Sequence, residues 1–113
     1  MIVVSGSPTA NREKYKKFAD EASKLFQEHG ALKVVECWGD DVPDGKVTSF
    51  PMAVKRNDDE SIIFSWIVWP SKQARNTAWD KIRNDPRMQP DKKPMPFDGK
   101  RIIYGGFEPI VER

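Results

Sequence analysis

The sequence predicts an α+β fold in which two helices cover one face of a small sheet. The chain has 113 residues, 38% of them apolar, which is enough for one domain with a single core. Residues 11–29 carry one apolar stripe at helical spacing, and residues 62–69 are apolar on both faces of a strand. Two helices cover only one sheet face, so the other face predicts a second subunit. We therefore expect one domain over residues 1–113, assembled as a homodimer.

The chain opens with the apolar run Ile2–Val4, which predicts a short first strand. The helix over 11–29 begins with Asn11 as its expected N-cap and ends before Gly30, a residue typical of the C′ position. Its stripe contains Tyr15, Phe18, Ala19, Ala22, Leu25, Phe26 and His29.

A second strand is predicted over 31–38 and ends at the turn Gly39-Asp40-Asp41. Residues 39–60 then form a long excursion rich in Asp, Pro and Gly, with a short extended piece over 47–54. Loops this long in small domains are often functional or contact a partner.

The third strand has two apolar faces, because side chains alternate along a strand. Ile62, Phe64, Trp66 and Val68 point one way, and Ile63, Ile67 and Trp69 point the other way. Either set could meet the helices, and the other set would meet the partner subunit.

A second helix is predicted from Pro70-Ser71 to Asp85-Pro86, followed by an irregular loop over 87–96. The last strand is predicted over 101–108, where the pair Gly105-Gly106 indicates a bulge or a close backbone approach. The resulting order β-α-β-β-α-β is that of the ferredoxin-like fold, which has an antiparallel sheet.

The composition argues against several classes of partner. The formal charge is +2 and the two signs are interspersed, so no basic stripe favours a nucleic-acid partner. The lone Cys37 excludes an internal disulfide and suits a reducing cytoplasm. No signal peptide and no apolar run long enough for a membrane helix are recognised, so we expect a soluble cytoplasmic protein without a membrane partner.

Several blocks along the chain resemble those of the YbaA-like proteins, a bacterial family of unknown function in the dimeric α/β-barrel superfamily. The clearest blocks are His29-Gly30-Ala31-Leu32, Val35-Glu36-Cys37-Trp38, residues 41–48, Phe64-Ser65-Trp66-Ile67, Asp85-Pro86-Arg87-Met88, residues 95–101 and Tyr104-Gly105-Gly106-Phe107-Glu108. The resemblance implies a homodimer whose two sheets face each other to form a barrel, and it supplies no catalytic residues. The start departs from the family pattern, which has a longer first strand.

The candidate catalytic residues are Glu36, Glu108 and His29. Glu36 shares a strand face with apolar neighbours and Glu108 lies in a strand that is otherwise apolar, so either carboxylate could be drawn partly out of water and act as an acid or base. The alternative for each is an ion pair or an exposed strand edge. His29 lies at a helix end, where it is more commonly packed or bonded to a carbonyl than catalytic.

The candidate ligand-binding residues are Trp38, Trp66, Arg75, Arg101 and Tyr104. We expect them, with Glu36, around a pocket between the sheet and its helices, where the protein would bind or transform a small molecule. Packing in the core or the dimer interface is the alternative for the tryptophans. No metal-ligand spacing and no haem or flavin signature is present, so neither a metal nor a cofactor is expected. A second hypothesis is a non-catalytic dimeric module that binds a metabolite or protein through residues 39–60.

Overall fold

The computed structural model describes residues 1–88 and 95–113. Its strands are β1 (Ile2–Pro8), β2 (Lys33–Trp38), β3 (Glu60–Val68) and β4 (Ile103–Gly105), and its helices are α1 (Arg12–Glu28), α2 (Phe50–Ala53) and α3 (Lys72–Arg83). Residues 89–94 of the loop predicted over 87–96 lie outside the described residues. None of the helices in the described ranges is long and apolar enough to cross a membrane.

The four strands form one antiparallel sheet in the order β2-β3-β1-β4. The two long helices connect β1 to β2 and β3 to β4, and both pack on the same face of the sheet. The predicted α+β fold with an antiparallel sheet is therefore confirmed.

The first strand is longer than predicted, since β1 extends from Ile2 to Pro8. Ser5, Gly6 and Ser7 have weak strand propensity, but their backbone pairs with β3, and this pairing extends the strand to Pro8. Ser7 is fully buried and its hydroxyl donates to the carbonyl of Pro96 at 2.6 Å. Tertiary pairing thus outweighs local propensity here.

Both long helices lie close to their predicted limits. Gly30 follows α1 with a φ of 104°, a left-handed conformation that glycine adopts without strain. Asn11 occupies the N-cap position of α1, although its side chain makes no capping hydrogen bond. At α3 the Ser71 hydroxyl accepts a hydrogen bond from the backbone N–H of Ala74 at 3.0 Å.

The extended piece predicted over 47–54 is wrong, because this segment contains the short helix α2. The Ser49 hydroxyl caps α2 by accepting a hydrogen bond from the Met52 N–H at 3.1 Å. Pro51 follows in the first turn, where its fixed φ and missing N–H favour a helix start. These two local signals outweigh the apolar residues that suggest a strand.

The strand predicted over 101–108 is also shorter in the structure, where β4 spans only Ile103–Gly105. Its pairing with β1 ends at Ile2 opposite Gly105, so residues 106–108 have no strand beside them. The predicted close backbone approach is confirmed at Gly106, where a Cβ atom would lie 2.1 Å from Nη1 of Arg75.

The helices cover the face of β3 that carries Ile63 and Ile67, both of which are buried. Ile62, Phe64 and Trp66 point to the opposite face, on the same side as Val4 of β1. Residues 39–60 cover part of this opposite face, because Val54 is only 1% exposed and packs against Ile62. The excursion is therefore partly a core element of the fold.

A buried ion pair joins the start of β3 to the segment before β4. The two terminal nitrogens of Arg101 donate to the two carboxylate oxygens of Glu60, each at 2.7 Å. Arg101 also donates to the Lys55 carbonyl at 2.9 Å and to Asp98 at 3.0 Å. A Cβ at Gly6 would lie 3.2 Å from the Glu60 carboxylate, so glycine there leaves room for the pair.

The substitution Glu60→Gln should destabilise the fold by about 2 kcal/mol at neutral pH, because it replaces hydrogen bonds between charged groups with weaker ones. The hydrogen bonds from Arg101 lower the pKa of Glu60 in the folded protein. The stabilisation from the ion pair is therefore fully present above the unfolded-state pKa of about 4.3. It is lost as the pH falls through the lower pKa of the folded state. Urea unfolding should therefore show a gap between wild type and variant that narrows in acid. The exposed Glu112→Gln is the control, and equal effects of both substitutions would contradict the structural role of the pair.

Candidate functional site

A cavity of about 560 Å³ lies between the helix-facing side of the sheet and the two long helices. Its walls are mostly apolar and come from both helices, the sheet and the segment before β4. The main apolar and aromatic wall residues are Phe18, Ala22, Phe26, Ile67, Trp79 and Phe97. A space of this size and lining is typical of sites that bind small molecules.

The floor of the cavity is a row of four side chains, one from each strand. Tyr104 pairs with Val3, Val3 pairs with Ser65, and Ser65 pairs with Glu36. Cross-strand partners share a face of the sheet, so all four side chains lie on the helix side. All four line the cavity.

Glu36 is held by two hydroxyl donors at one of its carboxylate oxygens. The phenol of Tyr15 on α1 donates to Oε2 at 2.6 Å, and the hydroxyl of Ser65 donates to the same oxygen. Both donors are buried, at 8% and 4% exposure. Within residues 1–88 and 95–113 no donor reaches Oε1, so this oxygen can still accept a hydrogen bond or a proton from a bound molecule.

Tyr15 acts as a neutral donor in this arrangement. Burial raises the pKa of its phenol well above the usual value, and the negative charge of Glu36 and the hydrogen bond between them raise it further. The Tyr15 ring also contacts the rings of Trp38 and Phe97, both at centroid distances of 6.0 Å. These contacts fix the direction of its hydroxyl group.

Arg75 lies at another part of the cavity wall, on the first turns of α3. Its guanidinium group packs against the backbone of Gly106, and its Nε donates to Asn76 at 3.3 Å. Among the described residues no carboxylate forms an ion pair with Arg75. The cavity wall therefore carries the Glu36 carboxylate and the Arg75 guanidinium group, which has no carboxylate partner among the described residues.

Of the residues expected around the pocket, Glu36, Arg75 and Tyr104 lie together in this cavity. Trp38 contacts Tyr15 and packs against a neighbouring part of the core. Trp66 lies on the opposite face of the sheet, since its register partner is Ile2. Arg101 is occupied by Glu60. The functional roles of all five candidate ligand-binding residues stay predictions.

The other two catalytic candidates lie outside the cavity. Glu108 is exposed and follows β4, so the strand in which it was expected does not reach it. His29 caps the C-terminus of α1, where its backbone N–H bonds to the carbonyls of Leu25 and Phe26. Its Nε2 is buried without a hydrogen-bond partner in the described part of the chain. No cluster of metal-binding side chains occurs within residues 1–88 and 95–113.

Sequence reasoning assigned no functional role to Tyr15 and Ser65, the two residues that hold Glu36. Tyr15 matches the apolar stripe of α1, so its hydroxyl group is hidden by the helical pattern. Ser65 carried a usable signal, because it is the one polar residue between Ile63 and Ile67 on a buried strand face. A buried hydroxyl group needs a hydrogen-bond partner, and the neighbouring strand supplies Glu36.

The raised pKa of Tyr15 can be measured by ultraviolet titration of tyrosinate. The chain has two tyrosines, so Tyr104→Phe leaves Tyr15 as the only one. In this background Tyr15 should ionise well above the usual value of about 10. Adding Glu36→Gln removes the negative charge and should lower that pKa only in part, because burial remains.

Glu112→Gln in the same background is the matched control and should leave the titration unchanged. Ionisation of Tyr15 at the ordinary value in the folded Tyr104→Phe protein would show that the contact with Glu36 is not formed.

Comparison with known proteins assigns the chain to a family. Residues 2–99 match the family described as "Protein of unknown function (DUF1428)". The chain is 53% identical over 105 residues to the uncharacterized protein YbaA of Escherichia coli K12. The aligned residues make up 93% of this chain and 90% of the relative. The uncharacterized YbaA protein of Shigella flexneri gives the same values. The resemblance to YbaA-like proteins is thus confirmed, and the chain belongs to the DUF1428 family.

Proposed function

We propose that the protein binds a small, largely apolar molecule in the cavity between the sheet and the two long helices. The observation that carries this proposal is the open cavity of about 560 Å³ with the Glu36 carboxylate in its wall. A filled core between sheet and helices would instead have favoured a purely structural or interaction module. Glu36 is the group in the cavity that can take a proton from the bound molecule, through its unoccupied oxygen.

The small side chains on the cavity floor support this proposal. Larger side chains in place of Val3, Ser5 or Ser65 would fill the space. On α1, the small side chain of Ala22 also leaves the cavity open. Protein interiors are otherwise close-packed, so larger side chains at these positions would have closed the space.

For the assembly, we propose a cytoplasmic homodimer of ferredoxin-like subunits whose sheets face each other as a barrel. The support is an apolar strip on the sheet face away from the helices, which we call the outer strip: Phe50, Met52, Phe64, Trp66 and Val68. Phe50 contacts Phe64 and Phe64 contacts Trp66, each at a centroid distance of 6.1 Å. Phe50, Met52 and Val68 are between 41% and 48% exposed.

The outer strip also gives the 39–60 excursion a role in this proposal. Because α2 contributes Phe50 and Met52 to the strip, the excursion would contact the second subunit. Contiguous apolar patches of more than a few hundred Å² are rare on monomers, whereas obligate dimers bury about 2,000 Å² or more. A second copy of the chain is the simplest cover for this face.

The cavity proposal is tested by filling the cavity. A thermal-shift screen with small aliphatic and aromatic acids, alcohols and amines should find compounds that raise the Tm of the wild type, since a ligand at about a hundred times its Kd adds about 2.7 kcal/mol of stability. Val3→Trp places a large side chain in the cavity and should abolish these shifts while circular dichroism shows a folded protein.

Val47→Trp is the matched control, because Val47 is 95% exposed and lies outside the cavity lining. It should retain every shift. The proposal fails if no compound stabilises the wild type, or if the same compounds stabilise Val3→Trp equally.

The dimer is tested by placing a charge on each face of β3. Trp66→Glu should give a folded monomer of 13.0 kDa by light scattering, because it disrupts the outer strip. Ile67→Glu should unfold the domain, because Ile67 is 3% exposed within the core under the helices and a charge there has no partner. Thr77→Glu on the exposed side of α3 is the control and should keep the size of the parent. A parent protein that is monomeric at micromolar concentration would refute the dimer.

A further inference from the structure

We infer that the molecule bound in the cavity is an apolar monocarboxylic acid whose carboxylate pairs with Arg75. This inference rests on the proposed function and adds the chemical class and the orientation of the ligand. It is drawn from the contacts of Arg75, the backbone around it and the position of Glu36.

Arg75 differs from Arg87 and Arg101, which both bind carboxylates. Arg87 pairs with Glu28 and Asp85, and Arg101 pairs with Glu60 and Asp98. Arg75 lines the largely apolar cavity, and within residues 1–88 and 95–113 no carboxylate pairs with it. A charged group beside an apolar space is costly unless a counter-ion reaches it. A ligand carboxylate would supply that counter-ion.

The chain makes room for this guanidinium group at Gly106. A Cβ atom there would lie 2.1 Å from Nη1 and 2.7 Å from Cζ of Arg75, so any other residue would push the group away. The guanidinium group therefore lies directly against the backbone of Gly106. A planar guanidinium group matches a carboxylate, which it can bind through two parallel hydrogen bonds.

The charges on the cavity wall set the orientation of the ligand. Glu36 would repel a carboxylate at its own end, so the acid group lies at Arg75 and the rest of the molecule extends toward Glu36. Gly106 follows β4 and Glu36 lies on β2, three strand spacings away, which is about 14 Å. A ligand that spans this distance has an apolar body of roughly ten heavy atoms, with room at its far end for a hydrogen-bond donor to Glu36.

The other cations in the wall already have partners, because the Met1 ammonium, which lies near Arg75, donates to the Ile67 carbonyl. Arg83, another basic residue in the wall, already pairs with Asp80. A phosphate dianion would bring a second negative charge into a cavity that also contains the Glu36 carboxylate. We therefore assign a carboxylate and not a phosphate ester to this site.

Calorimetric titration with decanoate, decanol, decylamine and decyl phosphate tests the inference on the full chain. Decanoate should bind the wild type at least tenfold more tightly than decanol, because hydrogen bonds between charged groups are the stronger kind. Decylamine carries no acid group for Arg75, so its binding should not weaken when Arg75 is replaced. Arg75→Met removes the charge but keeps an unbranched side chain, and it should remove the preference for decanoate while decanol binds as before.

Two further variants separate charge from position. Gly106→Ala keeps the charge but displaces the guanidinium group, so it should weaken decanoate binding and leave decanol binding unchanged. Arg12→Met, in the first turn of α1 and exposed, is the matched control and should bind both compounds as the wild type does.

The outcomes distinguish this inference from the proposed function. If decanol and decanoate bind equally and Val3→Trp blocks both, the cavity binds apolar molecules but the assignment of a carboxylate is wrong. Tighter binding of decyl phosphate than of decanoate also overturns that assignment. If none of the four compounds binds and the wider screen finds no ligand either, the proposed function fails and the inference fails with it.

Discussion

The structure depends on one constraint: the central strands β1 and β3 must be covered on both faces. The two long helices cover the face that carries Ile63 and Ile67. The opposite face is covered only in part, by Val42 and Val54 of the 39–60 excursion. The positions of the helices, the packing of the excursion and the exposed outer strip all follow from this requirement.

The Glu60–Arg101 pair connects this covering layer to the end of the chain. Arg101 binds the carboxylate at the start of β3 and the carbonyl of Lys55 just after α2, so one side chain holds three segments together. The same contacts keep Arg101 away from the cavity. Arg101, which sequence reasoning assigned to a ligand, thus has a structural role in these contacts, and its ligand-binding role stays a prediction.

The helix-covered face is not a uniform apolar core, because it also carries hydrogen-bonded polar side chains. Ser65 and Glu36 form a cross-strand pair there, and Tyr15 reaches them from α1. Small floor residues leave the cavity open above this polar group. The half-buried Glu36 and Arg75, which has no carboxylate partner among the described residues, therefore share the wall of one largely apolar cavity.

The sequence by itself determined the elements whose signals are local and periodic. The stripe of α1, the Ser71 cap of α3 and the two-faced pattern of β3 depend on neighbours within a few residues, so they can be recognised without a structure. The placement of Glu36 on the same face as Val34 and Trp38 follows from the alternation of side chains along β2. Only the tertiary structure decided the length of β1, the partner of Arg101 and the meeting of Tyr15 with Glu36. These features join residues that are 21 to 58 positions apart, and no local pattern records which distant side chains the packing brings together.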